Sequence, residues 1–192
     1  MIDATLRLDY DDQWVEVDLD ADPATWAREL VEQRWAEEGL PADPGGVDVM
    51  VSAVSQLVGG LRDVNAGMAF LLYPAADGPL VTVVTVRAFD LEPGLTVDGL
   101  VAELSFPEQM LEEPTRRSTV DTASGRALRL VQRYREPVSP GVEQVREHIV
   151  FAWLFEPEEA VVTLSTTFVD LAAADTWQPV VEELARSLVM QQ

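Results

Sequence analysis

Arg129, Arg133 and Arg135 fall two and four residues apart in a stretch, 126–136, that reads as a β-strand, so side-chain alternation puts their guanidiniums on one face with Val131. Leu128, Leu130, Gln132 and Tyr134 then share the opposite face. Three neighbouring guanidiniums can clamp a carboxylate, a phosphate or an acidic segment of a partner, and these residues form the candidate binding set. A structural reading competes with it. Glu143 and Glu147 share one face of the following strand and are spaced to pair with the arginines across the ladder.

Other chemistry is thinly represented. The chain has one histidine, His148, no cysteine and no lysine. Thiolate nucleophiles, thiolate metal sites, Schiff-base chemistry and lysine-bearing phosphate loops are thereby excluded. His148 alternates with Arg146 and Val150, away from Ile149, Phe151, Trp153 and Phe155, and no Gly-x-Ser-x-Gly elbow accompanies it. It reads as a structural histidine. Glu112-Glu113, Glu158-Glu159 and Glu182-Glu183 are adjacent pairs whose side chains diverge on a strand or a helix, so none is a preset acid and base flanking a bond. Asp18, Asp20 and Asp22 alternate like calcium-loop ligands and Glu29 stands at the closing position. Pro23, however, occupies the place where that loop turns on a glycine, and the segment reads as an acidic strand face running into a helix cap. The expectation is a protein that is not an enzyme, with no catalytic residue, no metal and no cofactor; the enzymatic alternative is a carboxylate-based hydrolase whose acid and base come from distant segments.

The elements that position these residues are readable from pattern. Short strands are expected at Thr5–Leu8 and Trp14–Leu19, and a helix opening at Asp22-Pro23 and closing at Gly39-Leu40-Pro41. A second helix follows Pro44, with Val47, Met50, Val51, Val54, Leu57, Val58 and Leu61 on a 3.6-residue period. Strands are expected at 68–73 and 80–89, the latter rich in β-branched residues, and a Thr96-capped helix at 97–104. A meander follows over 116–122, 126–136, 143–155 and 160–169, turning at Ser124-Gly125, Pro140-Gly141 and Pro157-Glu158-Glu159. Such short turns require antiparallel neighbours. A terminal helix is expected over 176–190 with Asp175 as its cap, covering the row Ile149, Phe151, Trp153 and Phe155.

The net charge of −21 disfavours phosphate backbones and anionic lipid surfaces, so neither nucleic acid nor membrane is expected as a partner. The charge is uneven. Residues 1–64 hold fifteen acids and four arginines, whereas residues 105–150 hold seven of each. Without an apolar run near Met1 or a stretch of membrane-spanning length, the expected location is cytoplasmic.

The strand ending near Phe89, the helix start Leu95-Thr96-Val97-Asp98-Gly99-Leu100, the turn Ser124-Gly125-Arg126-Ala127, three long strands and a closing helix ending Arg186-Ser187-Leu188 resemble the PsbP-like superfamily. That grouping includes the extrinsic P subunit of photosystem II, the Mog nuclear-import factor and actinobacterial LpqN-type lipoproteins. The likeness covers about half the chain and brings no catalytic motif. At 192 residues, 47% of them hydrophobic, the chain is expected to form a single domain over residues 1–192, and the resemblance implies that it is α+β, an antiparallel sheet with helices packed on it as an α/β/α sandwich. The resemblance further implies a non-catalytic protein-binding or assembly factor with a protein partner. The order of elements also suits a helix-grip fold. In that case the protein is a carrier of a small apolar or anionic ligand, with Arg129, Arg133 or Arg135 meeting an anionic head group.

Overall fold

A computed structural model describes residues 5–41, 43–61, 64–156 and 159–191. In chain order the elements are β1 (Thr5–Arg7), β2 (Trp14–Glu16), α1 (Pro23–Glu37), α2 (Pro44–Leu61), β3 (Met68–Leu72), β4 (Thr82–Asp90) and α3 (Val97–Leu104). There follow β5 (Arg116–Thr122), β6 (Gly125–Ser139), β7 (Val142–Phe155), β8 (Ala160–Phe168), α4 (Leu171–Ser187) and β9 (Val189–Gln191). The fold is α+β with antiparallel strand pairing. Two compact units are present, one of residues Asp11–Thr85 and one of Met1–Tyr10 with Val86–Gln192. No helix of the described residues is long and apolar enough to cross a membrane.

In the smaller unit, Asp22 caps α1 by accepting from the Thr25 amide at 2.9 Å, and Pro23 fills the first helical position where its missing N–H costs nothing. Ala27 and Val31 of α1 pack with Val51, Val54, Val58 and Leu61 of α2 and with Ala69 and Leu71 of β3. Close approach of the helices depends on Gly46, because a Cβ there would stand 3.0 Å from the Trp35 ring. Strand β2 pairs antiparallel with β3, Trp14 facing Leu72. It stops at Glu16 and not at the expected Leu19, since Asp18 Oδ1 takes the amides of Asp20 and Ala21 at 3.0 and 3.1 Å and turns the chain.

In the larger unit, β5, β6, β7 and β8 lie in that order, each antiparallel to the next. Gly125 and Gly141 have φ of +99° and +76°, and both serve turns between paired strands. Helix α3 lies over one face, where Leu100 joins Leu128, Leu130, Val150, Ala152 and Val161 in a buried cluster. Helix α4 covers the other, with Val181, Leu184 and Ala185 buried alongside Ile149, Phe151, Trp153, Val162 and Leu164.

Helix α4 starts at Leu171, a turn earlier than expected, and its cap is Asp170, which accepts from the Ala172 amide at 2.9 Å; Asp175 lies inside the helix. At its other end the helix stops at Ser187, because Val189–Gln191 pair with β1 and the Met190 amide donates to Ser124 Oγ at 3.0 Å. Strand β1 therefore pairs with the chain's end and not with its neighbour β2. Pro157 and Glu158 of the expected turn lie outside the described residues.

Candidate functional site

The β6–β7 ladder places Arg133 directly opposite Glu147 and Arg129 opposite Phe151, on the face that α4 covers. Glu147 has a fully buried side chain. Taking a carboxylate out of water is strongly unfavourable unless donors replace the water, and here they do. Arg133 Nε donates to Glu147 Oε2 at 2.8 Å and Arg116 Nη2 to the same oxygen at 3.0 Å, while the Gln178 amide of α4 donates to Oε1. One carboxylate thus ties β5, β6 and α4 to β7. The arrangement is asymmetric: the Arg133 and Arg116 side chains are 28% and 52% exposed and keep some water, whereas Glu147 has none.

The remaining arginines are engaged in the same way. Arg129 Nη2 donates to Gln178 Oε1 at 2.8 Å, and its Nε lies 3.6 Å from Glu182 Oε2. Burial holds the Arg129 guanidinium below its ordinary pKa, with Glu182 opposing. The hydrogen bond to Glu147 raises Arg133. Arg135 grips both oxygens of Glu112, which raises the guanidinium and lowers the carboxyl, and Glu143 stands 3.6 Å from its Nη1. The three arginines of the candidate set share a strand face, as alternation requires, and each meets an internal carboxylate or amide.

On the α3 face the sheet changes character along its length. Apolar Leu128, Leu130, Val150 and Ala152 give way to Gln132, Tyr134, His148 and Thr167. These polar residues fasten the loop that leaves α3. Gln132 is fully buried; its amide donates to the Leu104 carbonyl at 3.0 Å and its oxygen accepts from the Phe106 amide at 2.8 Å, so one side chain satisfies both backbone groups at the helix end. The Phe106 ring stacks on Tyr134 with centroids 4.1 Å apart and meets His148 edge-on at 5.4 Å. His148 Nδ1 lies 2.9 Å from Thr167 Oγ1. Burial pushes the pKa of His148 down to about 4, so the ring is neutral at pH 7. Farther along the loop, Leu111 bridges to Tyr134 and the Glu112 amide donates to the Arg133 carbonyl at 2.8 Å.

This fastened loop walls a cleft of about 480 Å³, open to solvent, lined by Ser105, Phe106, Glu108, Leu111, Glu112, Glu113, Pro114 and Thr115. Glu112 and Glu113 face it from their pairs with Arg135, Arg116 and Arg133. Glu108 has no ion-pair partner among the described residues and sits on a single 3₁₀ turn, Glu108–Met110. Ser105 Oγ donates to the Val101 carbonyl at 2.6 Å. The arginine strand therefore touches the cleft indirectly, by holding its wall in place.

No loop residue belongs to the candidate binding set, and Glu112 and Glu113 stand out in the sequence only as an adjacent carboxylate pair. Their signal is weak: Phe106-Pro107 and Pro114 bracket an eleven-residue connection between a helix and a strand, and long loops of this kind commonly carry function. Among the described residues, no group of three or more His, Cys, Asp or Glu is arranged to hold a metal ion. Comparison of the chain with known protein families and with curated proteins yields no match.

Proposed function

We propose that the chain is a non-catalytic protein-binding or assembly factor of PsbP-like type. The observation that carries this reading is the state of the arginine set: Arg129 and Arg133 spend donors on Gln178 and Glu147 beneath α4, while Arg133 and Arg135 also pair with Glu113 and Glu112 in the wall of the surface cleft, so the set serves as framework. A rigid, open concavity suits a segment that arrives and leaves with its own chain, because the loop has already lost the entropy that binding would otherwise cost it. A carrier of helix-grip type needs instead to wrap an apolar molecule, and on the α4 face Ile149, Phe151, Trp153 and Leu164 fill the space between helix and strands. The test uses the whole chain, immobilised and washed in low salt. A binding factor returns one protein in stoichiometric amount from its own lysate, released by salt. Repeated capture of nothing, with an apolar molecule co-purifying in native mass spectrometry, would sink the reading in favour of the carrier.

A further inference from the structure

We infer that the cleft between Ser105 and Thr115 is the partner-docking site and that it takes a basic side chain, arginine or lysine, flanked by an apolar residue of the partner. This rests on the protein-binding reading and specifies its chemistry. Three features of the cleft lead to it. Among the described residues, the charged ones lining it are three glutamates, two of which pair with arginines of β5 and β6. Glu108 is the exception, an exposed carboxylate at the rim without a cation among the described residues. Its neighbours in the lining, Phe106, Leu111 and Pro114, give the aliphatic stem of an arginine or lysine an apolar surface to lie along while its head reaches Glu108.

Preorganisation distinguishes the cleft from the rest of the acidic surface. Gln132, Tyr134 and Arg135 fix the loop at Phe106, Leu111 and Glu112, so the carboxylate of Glu108 is presented from a held backbone. The chain's net charge of −21 draws cations to it from a distance, and the cleft decides where an apolar and basic pair stays. An anionic ligand is disfavoured by the same carboxylates. A purely apolar one leaves Glu108 unanswered.

The probe is an acetylated, amidated tetrapeptide of alternating arginine and leucine, titrated into the ¹⁵N-labelled full chain, beside the same peptide with glutamate replacing arginine. Saturable amide shifts should centre on residues 105–115 for the basic peptide only. Glu108→Gln should weaken binding about threefold, and Glu108→Lys about tenfold or more. Glu29→Lys, on an exposed face of α1, changes net charge equally and should leave the affinity within a factor of two or so of the parent. Shifts scattered over acidic surface, equal weakening by Glu108→Lys and Glu29→Lys, equal binding of the glutamate peptide, or no saturable shift each overturns the site. The two readings fail separately: a natural partner retained in full by Glu108→Lys removes the cleft and leaves the binding role standing, whereas specific tetrapeptide binding in a chain that captures no partner removes only the larger role.

Discussion

His148 sits where a charge would be costly, between the edge of Phe106 and the hydroxyl of Thr167. Burial is the main cause of its pKa of about 4, with the nearby Arg87 charge acting in the same direction and a hydrogen bond with the Thr166 backbone opposing. Its ordinary value is 6.5, so between those pH values the unfolded chain binds more protons than the folded one, and stability must fall as pH falls. The contribution is complete above the ordinary value and disappears as pH drops through the folded one. Going from about pH 7 to about pH 5 should cost about 2 kcal/mol from this residue. Urea midpoints for the parent and His148→Gln measure it, the variant showing the shallower slope over that range. As the chain's only histidine, its imidazole resonance can be followed directly, and a midpoint near 6.5 in the folded protein would refute the argument. Glu112 changes stability at lower pH, because Arg135 depresses its carboxyl; its effect is present above the ordinary carboxylate range and lost beneath it.

At the scale of elements, local signals were sufficient where the chain satisfies its own backbone nearby. Thr96 accepts from the Gly99 amide at 3.1 Å and starts α3 at Val97, and β5 runs from Arg116 to Thr122, both as the residue pattern requires. The terminal helix misleads because Asp175, just ahead of the apolar stripe Trp177, Val180, Val181, Leu184 and Leu188, looks like a cap, with Pro179 four residues beyond it. The extra turn from Leu171 is held by Asp170 and by burial of Ala174, and the proline is absorbed inside the helix. This assignment has a direct consequence for stability. Asp170→Ala should cost about 1 kcal/mol, the usual loss for a helix cap, while Asp175→Ala should stay within about 0.5 kcal/mol. Among the described residues Asp175 has one ion pair, a 3.9 Å approach to Arg133, and its side chain is 74% exposed. Equal effects in denaturant unfolding would return the cap to Asp175. The cleft was illegible for a different reason: Gln132 and Arg135 stand more than twenty residues from the loop atoms they fasten. Periodicity gives the face a residue occupies, and the fold decides what it meets there. The pairing of Arg133 with Glu147 was accessible only because an antiparallel hairpin converts sequence spacing into register.

Across the whole molecule, charge is distributed so that salt should act in two opposing ways. Residues 11–85 hold fourteen acids and three arginines, and among the described residues of that stretch the ion pairs are those of Arg28 with Glu32 and Asp48. Repulsion therefore dominates that unit. The larger unit, with ten arginines, pairs most of them, and its strongest node, at Glu147, is shielded by burial from counterions. Exposed pairs contribute little individually, so screening removes more repulsion than attraction. The thermal midpoint of the free chain should accordingly rise as sodium chloride goes from about 10 to about 200 mM, a range over which the screening length shrinks to roughly the spacing of surface charges. Hydrogen exchange locates the effect: amides of α1 and α2 should gain more protection than those of β6 and β7. A midpoint that falls with salt would mean that attractive pairs control stability and that the smaller unit is not strained by its charge. Association with a basic segment should respond with the opposite sign, weakening over the same range as salt screens its attraction to Glu108. Stability and binding that move in opposite directions under one variable separate the charge that burdens the fold from the charge that serves its partner.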